Sequence, residues 1–392
     1  MQNILVIGFS TRNIVCSARR AGYNVYSIDA FRDHDLQKCA YGSALLEFRT
    51  AEKLQQLDFS KIKVKMDSFE LKFDAIVPGS GMEMVDYNSF PCPFLTSSPD
   101  AVQKASDKLY LSKRLEALGI SHPHCYSPEE LDTIECPVII KPASGGGGVL
   151  NRIAKSKQEI LSILDELFDL NPELTDQTVI IQDFLEGIPS SVSLLSTKHE
   201  ALSVAVNEQL IGISWLSRLP FAYCGNITPF RTEQAEEMEA LAEDLVLRFE
   251  LLGSNGVDFL FTENGPVVLE INPRFQGSLD TVEKVMDINL FGAHVDCFRG
   301  DIPDKPNAKC FAARGVFYSD RELFIDRELM DIIIKEKCAD IPPQGTVVKP
   351  QWPLTSLFSC ASTREDAVMS LERGAKRINT FIENQTKSRG NN

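Results

Sequence analysis

Lys141-Pro142-Ala143-Ser144 runs straight into four consecutive glycines, Gly145, Gly146, Gly147 and Gly148, after the apolar stretch Pro137 to Ile140. Glycines in a row cannot fill a core. Without Cβ atoms, however, their backbone amides can close around a phosphate, and the preceding lysine adds a positive charge. A flexible surface hairpin is the bland alternative; an apolar strand ending in lysine directly before the loop favours phosphate. No Gly-Lys-Ser/Thr follows, so this is not a Walker loop, and it is not a Gly-x-Gly-x-x-Gly turn opening a helix after the first strand.

Asp258, Glu270, Asn272 and Arg274 form a second constellation, spread over two segments otherwise made of Val, Leu, Ile and Phe. Strand alternation puts Val267, Leu269 and Ile271 on one face and Val268, Glu270 and Asn272 on the other. Two oxygen-bearing side chains pointing one way, with a further acid on the adjacent strand, suit hard Mg²⁺ ions bridging nucleotide phosphates. Arg274 adds a cation just beyond the strand. The competing reading is a solvent-facing polar edge.

Convergence of these ligands constrains the hairpin between them. If Asn264-Gly265 is a two-residue turn, Asp258 pairs with Ile271 and faces away from Glu270. A three-residue loop, Glu263-Asn264-Gly265, pairs Thr262 with Pro266 and sets Asp258 across from Glu270. A shared site therefore predicts the three-residue loop, with a positive φ at Gly265. A third segment, Gln182-Asp183-Phe184-Leu185-Glu186-Gly187, reads either as a strand end offering backbone groups to an adenine ring or as a plain connection.

These segments need a scaffold. Residues 3 to 8 read as a buried strand, Arg12 to Gly22 as a helix closed by glycine and Asn24 to Asp29 as a second strand, a βαβ opening. With the strand Phe73 to Pro78, this predicts a Rossmann-like α/β domain over residues 1–97. Ser98-Pro99-Asp100 supplies an N-cap, a first-turn proline and an acid for a helix running to Gly119, with Lys104 and Lys108 as polar positions on it. Strands at 137–141, 178–182, 192–196 and 202–206, and a helix at 160–168, open a second module. An acidic helix at 232–249 precedes strands at 256–261 and 267–272. A two-subdomain module thus spans 98–300, dividing near 185/186, and 301–392 is an extension with a strand at 314–318 and a polar tail fraying from Asn384.

The 392 residues suffice for two or three domains, and 43% hydrophobic with 24% charged residues is ordinary for a compact soluble protein. A net charge of -15 opposes nucleic acid and anionic membrane as partners, so phosphate can be met only in a locally positive cleft. The short run Ile4 to Ile7 suits a strand better than a signal peptide, and no segment approaches about 20 apolar residues, which places the chain in the cytoplasm. The ten cysteines form no Cys-x-x-Cys pair and read as reduced, buried thiols. His122, His124 and Cys125 sit in a Pro-containing stretch that reads as a connection rather than a metal site.

Taken in order, Lys108, Lys141 with its glycine loop, Gln182 to Gly187, Asp258 and Glu270-Ile271-Asn272-Pro273-Arg274 resemble the ATP-grasp superfamily over residues 1 to about 300. The resemblance implies two α+β subdomains clamping ATP. Lys108 and Lys141 would bind phosphates beneath Ser144 and Gly145 to Gly148; Gln182, Asp183, Phe184, Leu185 and Glu186 would line the adenine and ribose side. Asp258, Glu270 and Asn272 would hold Mg²⁺, two ions by the family pattern, and Arg274 would stabilise the transferred phosphoryl. Pro189 departs from the family pattern where relatives often carry an acid for the ribose, with Glu186 the nearest substitute. Gly8-Phe9-Ser10-Thr11-Arg12 and Tyr223-Cys224-Gly225-Asn226 are similar to a branch of predicted archaeal-type carboligases, which implies coenzyme-like substrates.

The function so implied is an ATP-dependent carboxylate-amine ligase acting on small molecules; Arg12 and Arg218 are candidate carboxylate anchors in a pocket between the N-terminal domain and the grasp, and for each a surface salt bridge is at least as good a reading. It is compatible with an oligomer. A bicarbonate-using carboxylase or a kinase would share every ATP residue; a non-catalytic ATP-binding protein would keep the clamp without turnover. A nicotinamide dehydrogenase, suggested by Gly8 and by Asp29 ending the second strand, lacks the glycine fingerprint.

Overall fold

The computed structural model describes residues 2–46, 59–83, 85–126, 130, 133–143, 146–171, 174–175 and 178–390. Ser144 and Gly145 of the glycine loop lie outside them. The chain opens with β1 (Asn3–Gly8), α1 (Arg12–Arg20), β2 (Asn24–Asp29), α2 (His34–Cys39), β3 (Gly42–Leu45), α3 (Phe59–Asp67) and β4 (Ala75–Pro78). Their strands form a parallel sheet in the order β3-β2-β1-β4. Ile4 and Val6 pack into one cluster and Leu5 and Ile7 into another, so both faces of β1 are covered, which is why it reads as an unbroken apolar run.

There follow α4 (Pro99–Ser106), α5 (Lys108–Leu118), β5 (Cys125–Tyr126), β6 (Val138–Pro142), β7 (Arg152–Ala154), α6 (Lys157–Leu170) and β8 (Val179–Asp183). The sheet β5-β8-β6-β7 is antiparallel. Its inner face, with Val138, Ile140, Val179 and Ile181, packs on Ile160 and Leu167 of α6. Residues of the opposite face are free to line a cleft.

The remaining elements are β9 (Ile188–Ser196), β10 (Ala201–Ile211), β11 (Tyr223–Thr228), α7 (Ala235–Arg248), β12 (Gly253–Thr262), β13 (Gly265–Asn272), α8 (Leu279–Met286), α9 (Leu290–Cys297), β14 (Phe311–Tyr318), β15 (Leu323–Phe324), α10 (Arg327–Lys335), β16 (Val347–Val348), β17 (Pro353–Ala361) and α11 (Arg364–Gly390). A seven-stranded sheet runs β13-β12-β9-β10-β11-β14-β17. One face packs Val192, Val206, Val257, Phe259, Val268 and Ile271 against α4, α5 and α7. The stretch beyond residue 300 supplies two strands to this sheet, and α11 lies on them through Leu371, Ala375 and Ile378. The mixed architecture, a parallel Rossmann-like sheet beside antiparallel α+β units, is the fold class the sequence predicts.

Four local expectations are corrected. The helix expected from Pro99 to Gly119 breaks at Asp107, whose extended backbone (ψ 107°) ends α4 while its carboxylate caps α5 by accepting from Leu109 N and Tyr110 N at 2.9 and 3.1 Å. Cys16 and Cys39, expected as thiols, are joined in a disulfide between α1 and α2. Nothing in their spacing marks the pair, because only the packing of the two helices brings their Cα atoms to 5.3 Å. The tail from Asn384 continues α11 to Gly390 instead of fraying.

The hairpin between the acidic residues is the fourth. Thr262 pairs with Gly265, so the turn is Glu263-Asn264, a two-residue loop rather than three, with φ +112° at Gly265. That register alone would set Asp258 opposite Leu269. A β-bulge leaves Leu269 unpaired in the ladder and moves Asp258 opposite Glu270. The bulge also returns Val268 to the helix-covered face with Ile271, where simple alternation had grouped it with Glu270.

Candidate active site

Asp258, Glu270 and Asn272 converge. Asn272 Nδ2 donates to Asp258 Oδ2 at 3.1 Å and to Glu270 Oε1 at 3.4 Å. Asp258 Oδ1 is buried with no hydrogen-bond partner in the protein, an acceptor held out of water with its second lone-pair set unused. Among the described residues no group of three or more His, Cys, Asp or Glu forms a metal cage. Two carboxylates, one of them with an orphaned buried oxygen, and an amide oxygen instead suit an ion that keeps other oxygen ligands, as Mg²⁺ does with water and phosphate.

Two lysines reach this group, Lys108 from a helix packed on the same sheet and Lys141 from the antiparallel sheet β5-β8-β6-β7. The break at Asp107 makes Lys108 the first residue of α5, and its Nζ lies 3.4 Å from Glu270 Oε2. Lys141 comes from β6 on the face opposite Val138 and Ile140. Burial, and then the neighbouring Lys108 charge, push the Lys141 ammonium down to about 8, with Glu270 offsetting part of the shift. Burial acts to raise Glu270, but Lys108 and Lys141 outweigh it and hold this carboxyl down at about 2. Asp258 goes the other way: burial, then the Glu270 charge, raise it well above the usual carboxylate range. Two close carboxylates that share a site split in this manner until a cation joins them.

Arg274 donates from Nη2 to Asn272 Oδ1 at 3.0 Å and from Nε to Glu83 Oε1 at 2.7 Å, tying the acidic group to the loop after β4. The described part of the glycine loop closes over it. A Cβ on Gly146 would stand 4.0 Å from Arg274 Nη2, and Gly147 O accepts from Tyr223 N at 3.2 Å, so the loop docks on the start of β11. Gly148 adopts φ +70°, and a Cβ there would meet Phe221 O at 2.0 Å. Only glycine permits this approach. Amide exchange at Gly146 to Gly148 is expected to slow when MgATP is added, and Gly148→Ala is expected to abolish that slowing without lowering the main thermal transition. Equal exchange with and without nucleotide would remove the loop from any phosphate-covering role.

The segment 182–186 is the end of β8 and the start of its connection to β9. Gln182 is 3% exposed, with Nε2 donating to Cys125 Sγ at 2.9 Å and Oε1 without a partner. Asp183 accepts from the Tyr126 hydroxyl at 2.6 Å, Phe184 N donates to Pro137 O, and Leu185 and Glu186 are exposed.

The two arginines expected to anchor a carboxylate are already engaged. Arg12 is 5% exposed and binds both Asp280 oxygens, at 2.9 and 2.6 Å, and Asp340 at 2.8 Å, so its charge is neutralised where three parts of the chain meet. Arg218 pairs with Asp320 at 2.6 Å on the surface. Two residues that motif reading did not place stand at the site instead. One is Glu83, which has no sequence signal beyond following Gly79-Ser80-Gly81. The other is Tyr223, which burial, moderated by Arg314 and reinforced by Asp258, pushes up to about 12. An open groove of about 390 Å³ lined by Pro229, Phe230, Arg231, Phe311, Thr363 and Arg364 contains none of these groups.

Two lysines gathered with two acids, an amide and an arginine are the set that the resemblance to ATP-grasp enzymes implies, and residues 105–278 match the ATP-grasp domain. The chain carries an ATP-grasp domain. Along nearly its whole length it is similar to an uncharacterised protein of Methanocaldococcus jannaschii, at 26% identity over 374 residues, 91% of this chain and 87% of that one. Among solved structures it shares its fold with the N5-carboxyaminoimidazole synthase of Aspergillus clavatus, determined with ADP and 5-aminoimidazole ribonucleotide. That likeness has TM-score 0.71 and 17% identity and covers 97% of this chain and 99% of that one. An L-amino acid ligase from Bacillus licheniformis has the same fold, with TM-score 0.70, 12% identity and coverage of 96% and 97%. No helix among the described residues is long and apolar enough to cross a membrane.

Proposed function

We propose that the chain is an ATP- and Mg²⁺-dependent ligase that phosphorylates a small-molecule carboxylate and passes the acyl group to an amine. The observation that carries this reading is the 3.4 Å approach of Lys108 to Glu270, which joins the phosphate-binding and metal-binding halves of the clamp around one point. The relatives with this fold, an amino-acid ligase and a synthase holding ADP with an amine-bearing nucleotide, support it.

Lys108 and Lys141 hold the phosphates, with the amides of Gly146 to Gly148 above them and Ser144 and Gly145 assigned to the same loop by sequence. Asp258, Glu270 and Asn272 hold Mg²⁺, which when bound neutralises phosphate charge. Gln182 to Glu186 border the adenine. Arg274, kept in place by Glu83 and Asn272, faces the charge that develops as the carboxylate oxygen takes the γ-phosphoryl group and ADP leaves. Such a step asks for positioning and charge neutralisation rather than a protein nucleophile. The amine then attacks the acyl phosphate carbonyl, and phosphate departs. Tyr223, held protonated by its environment, can donate a hydrogen bond there but not act as a base.

The test is a screen of carboxylate and amine pairs for ATP-dependent ADP release, with products identified by mass spectrometry. A new amide formed with one ADP per bond is the expected result. A carboxylated product from bicarbonate, or a stable phosphorylated alcohol, would overturn the ligase assignment in favour of the carboxylase or kinase chemistry that the same ATP residues would serve.

A further inference from the structure

Cys125 lies in a stretch that reads from sequence as a mere connection, yet it forms the short edge strand β5 beside β8. Its partner in register is Gln182, and Gln182 is in turn paired with Ile139 of β6. Residues directly opposite one another across a sheet share a face. Cys125, Gln182 and Ile139 therefore share the face that also carries Lys141, two residues beyond Ile139, while Val138 and Ile140 point into the core. The thiol thus lies on the sheet face of Lys141, one of the two lysines assigned to the phosphates.

A second feature marks this spot as one where a ligand is met. Gln182 is 3% exposed, its Nε2 is held by Cys125 Sγ at 2.9 Å, and its Oε1 has no partner. A buried amide acceptor left open costs free energy unless something donates to it. Cys125 itself is half-buried.

Resting on the nucleotide-binding reading above, we infer that Cys125 is a modification site within the ATP cleft: bound nucleotide shields its thiol, and a covalent adduct on its sulfur excludes nucleotide. The reagent class is a small disulfide. The Cys125 thiolate attacks one sulfur, the Cys125–S–S–R bond forms as the R–S–S–R bond breaks, and the departing RS⁻ takes up the proton that the thiol gave to solvent. A reducing thiol reverses the exchange, so occupancy of the cleft follows the surrounding thiol and disulfide balance.

The probe is iodoacetamide on the full chain, with labelling at each cysteine followed by peptide mass spectrometry. Cys360, exposed on β17 away from the cleft, is the internal control. At MgATP about ten times its Kd, labelling of Cys125 is expected to slow about tenfold, the fraction of free sites under simple mass action, while Cys360 is unaffected. Treatment with oxidised glutathione is expected to lower wild-type nucleotide affinity at least about tenfold, reversibly with dithiothreitol, and Cys125→Ser is expected to show no treated-to-untreated difference, whatever its starting affinity. Cys125 that never labels in the free protein, or that labels equally fast with nucleotide demonstrably bound, overturns the inference and leaves the ligase reading standing. If MgATP does not bind by calorimetry, the nucleotide reading itself falls, and the inference with it.

Discussion

Glu270→Gln is expected to lower ADP release about 10²- to 10³-fold at saturating MgATP, the scale of loss seen when one preorganised charge-stabilising group is removed. Glu270 is ionised at any working pH because Lys108 and Lys141 hold it at about 2 against the effect of burial. Glutamine keeps the size of the side chain and can still accept from Asn272 Nδ2, but it removes the charge that balances two lysines and would ligate the metal. The fold should be kept, since the Glu270 side chain is 29% exposed and belongs to no apolar cluster, with a thermal midpoint lowered at neutral pH by loss of a carboxylate that the two lysines hold ionised. Circular dichroism and the thermal midpoint check that half of the expectation. Turnover that stays at the wild-type rate would remove Glu270 from the metal site.

The second large effect concerns Lys141 and carries a pH signature. Lys141→Ala is expected to weaken ATP binding about 10- to 100-fold, the value of one charge-assisted hydrogen bond to phosphate, while the thermal midpoint moves little. In the free protein the ammonium is pushed down to about 8, and a bound phosphate favours its charged form. Below pH 8 the lysine is charged with or without nucleotide, so its contribution to affinity is complete and flat. Above pH 8 binding must take up a proton, so affinity declines as pH rises, approaching tenfold per unit. Calorimetry in buffers of different ionisation enthalpy should show that uptake in the wild type at pH 9 and not in Lys141→Ala. An identical pH profile in the two proteins would show that Lys141 does not meet the phosphates.

Much of this site is legible in the chain because its parts are locally encoded. Four glycines after a strand ending in lysine need no tertiary knowledge to be noticed, and an acid and an amide spaced by two along a strand must project together, with an arginine just beyond its end. Convergence of Asp258 with Glu270 was also inferred correctly, though by the wrong device. The turn is shorter than expected, and a bulge at Leu269 restores the pairing. A bulge has no residue signature comparable to the positive φ that Gly265 satisfies, so the two errors of register cancelled without leaving a trace in the sequence. Glu83 and Tyr223 were missed for a different reason. Glu83 is one polar residue in a stretch with no repeating pattern, and Tyr223, though it opens a segment that carries the family resemblance, gains its place only from the docked glycine loop.

The sequence by itself therefore determined the strands, the order of the motifs along them and the chemistry those residue types can perform, since periodicity, glycine freedom and charge act over a few neighbouring residues. Tertiary structure alone decided which charges are spent and which remain available. Arg12 looks like any exposed cation in the chain, yet it is consumed by Asp280 and Asp340, 268 and 328 residues away. Cys16 and Cys39 look like ordinary thiols and are joined. Lys108, one lysine among several on an expected helix, is brought to Glu270 because Asp107 breaks and recaps that helix. Electrostatic roles are fixed by distance and desolvation, and both are set by contacts between residues far apart in the chain, which no local pattern records.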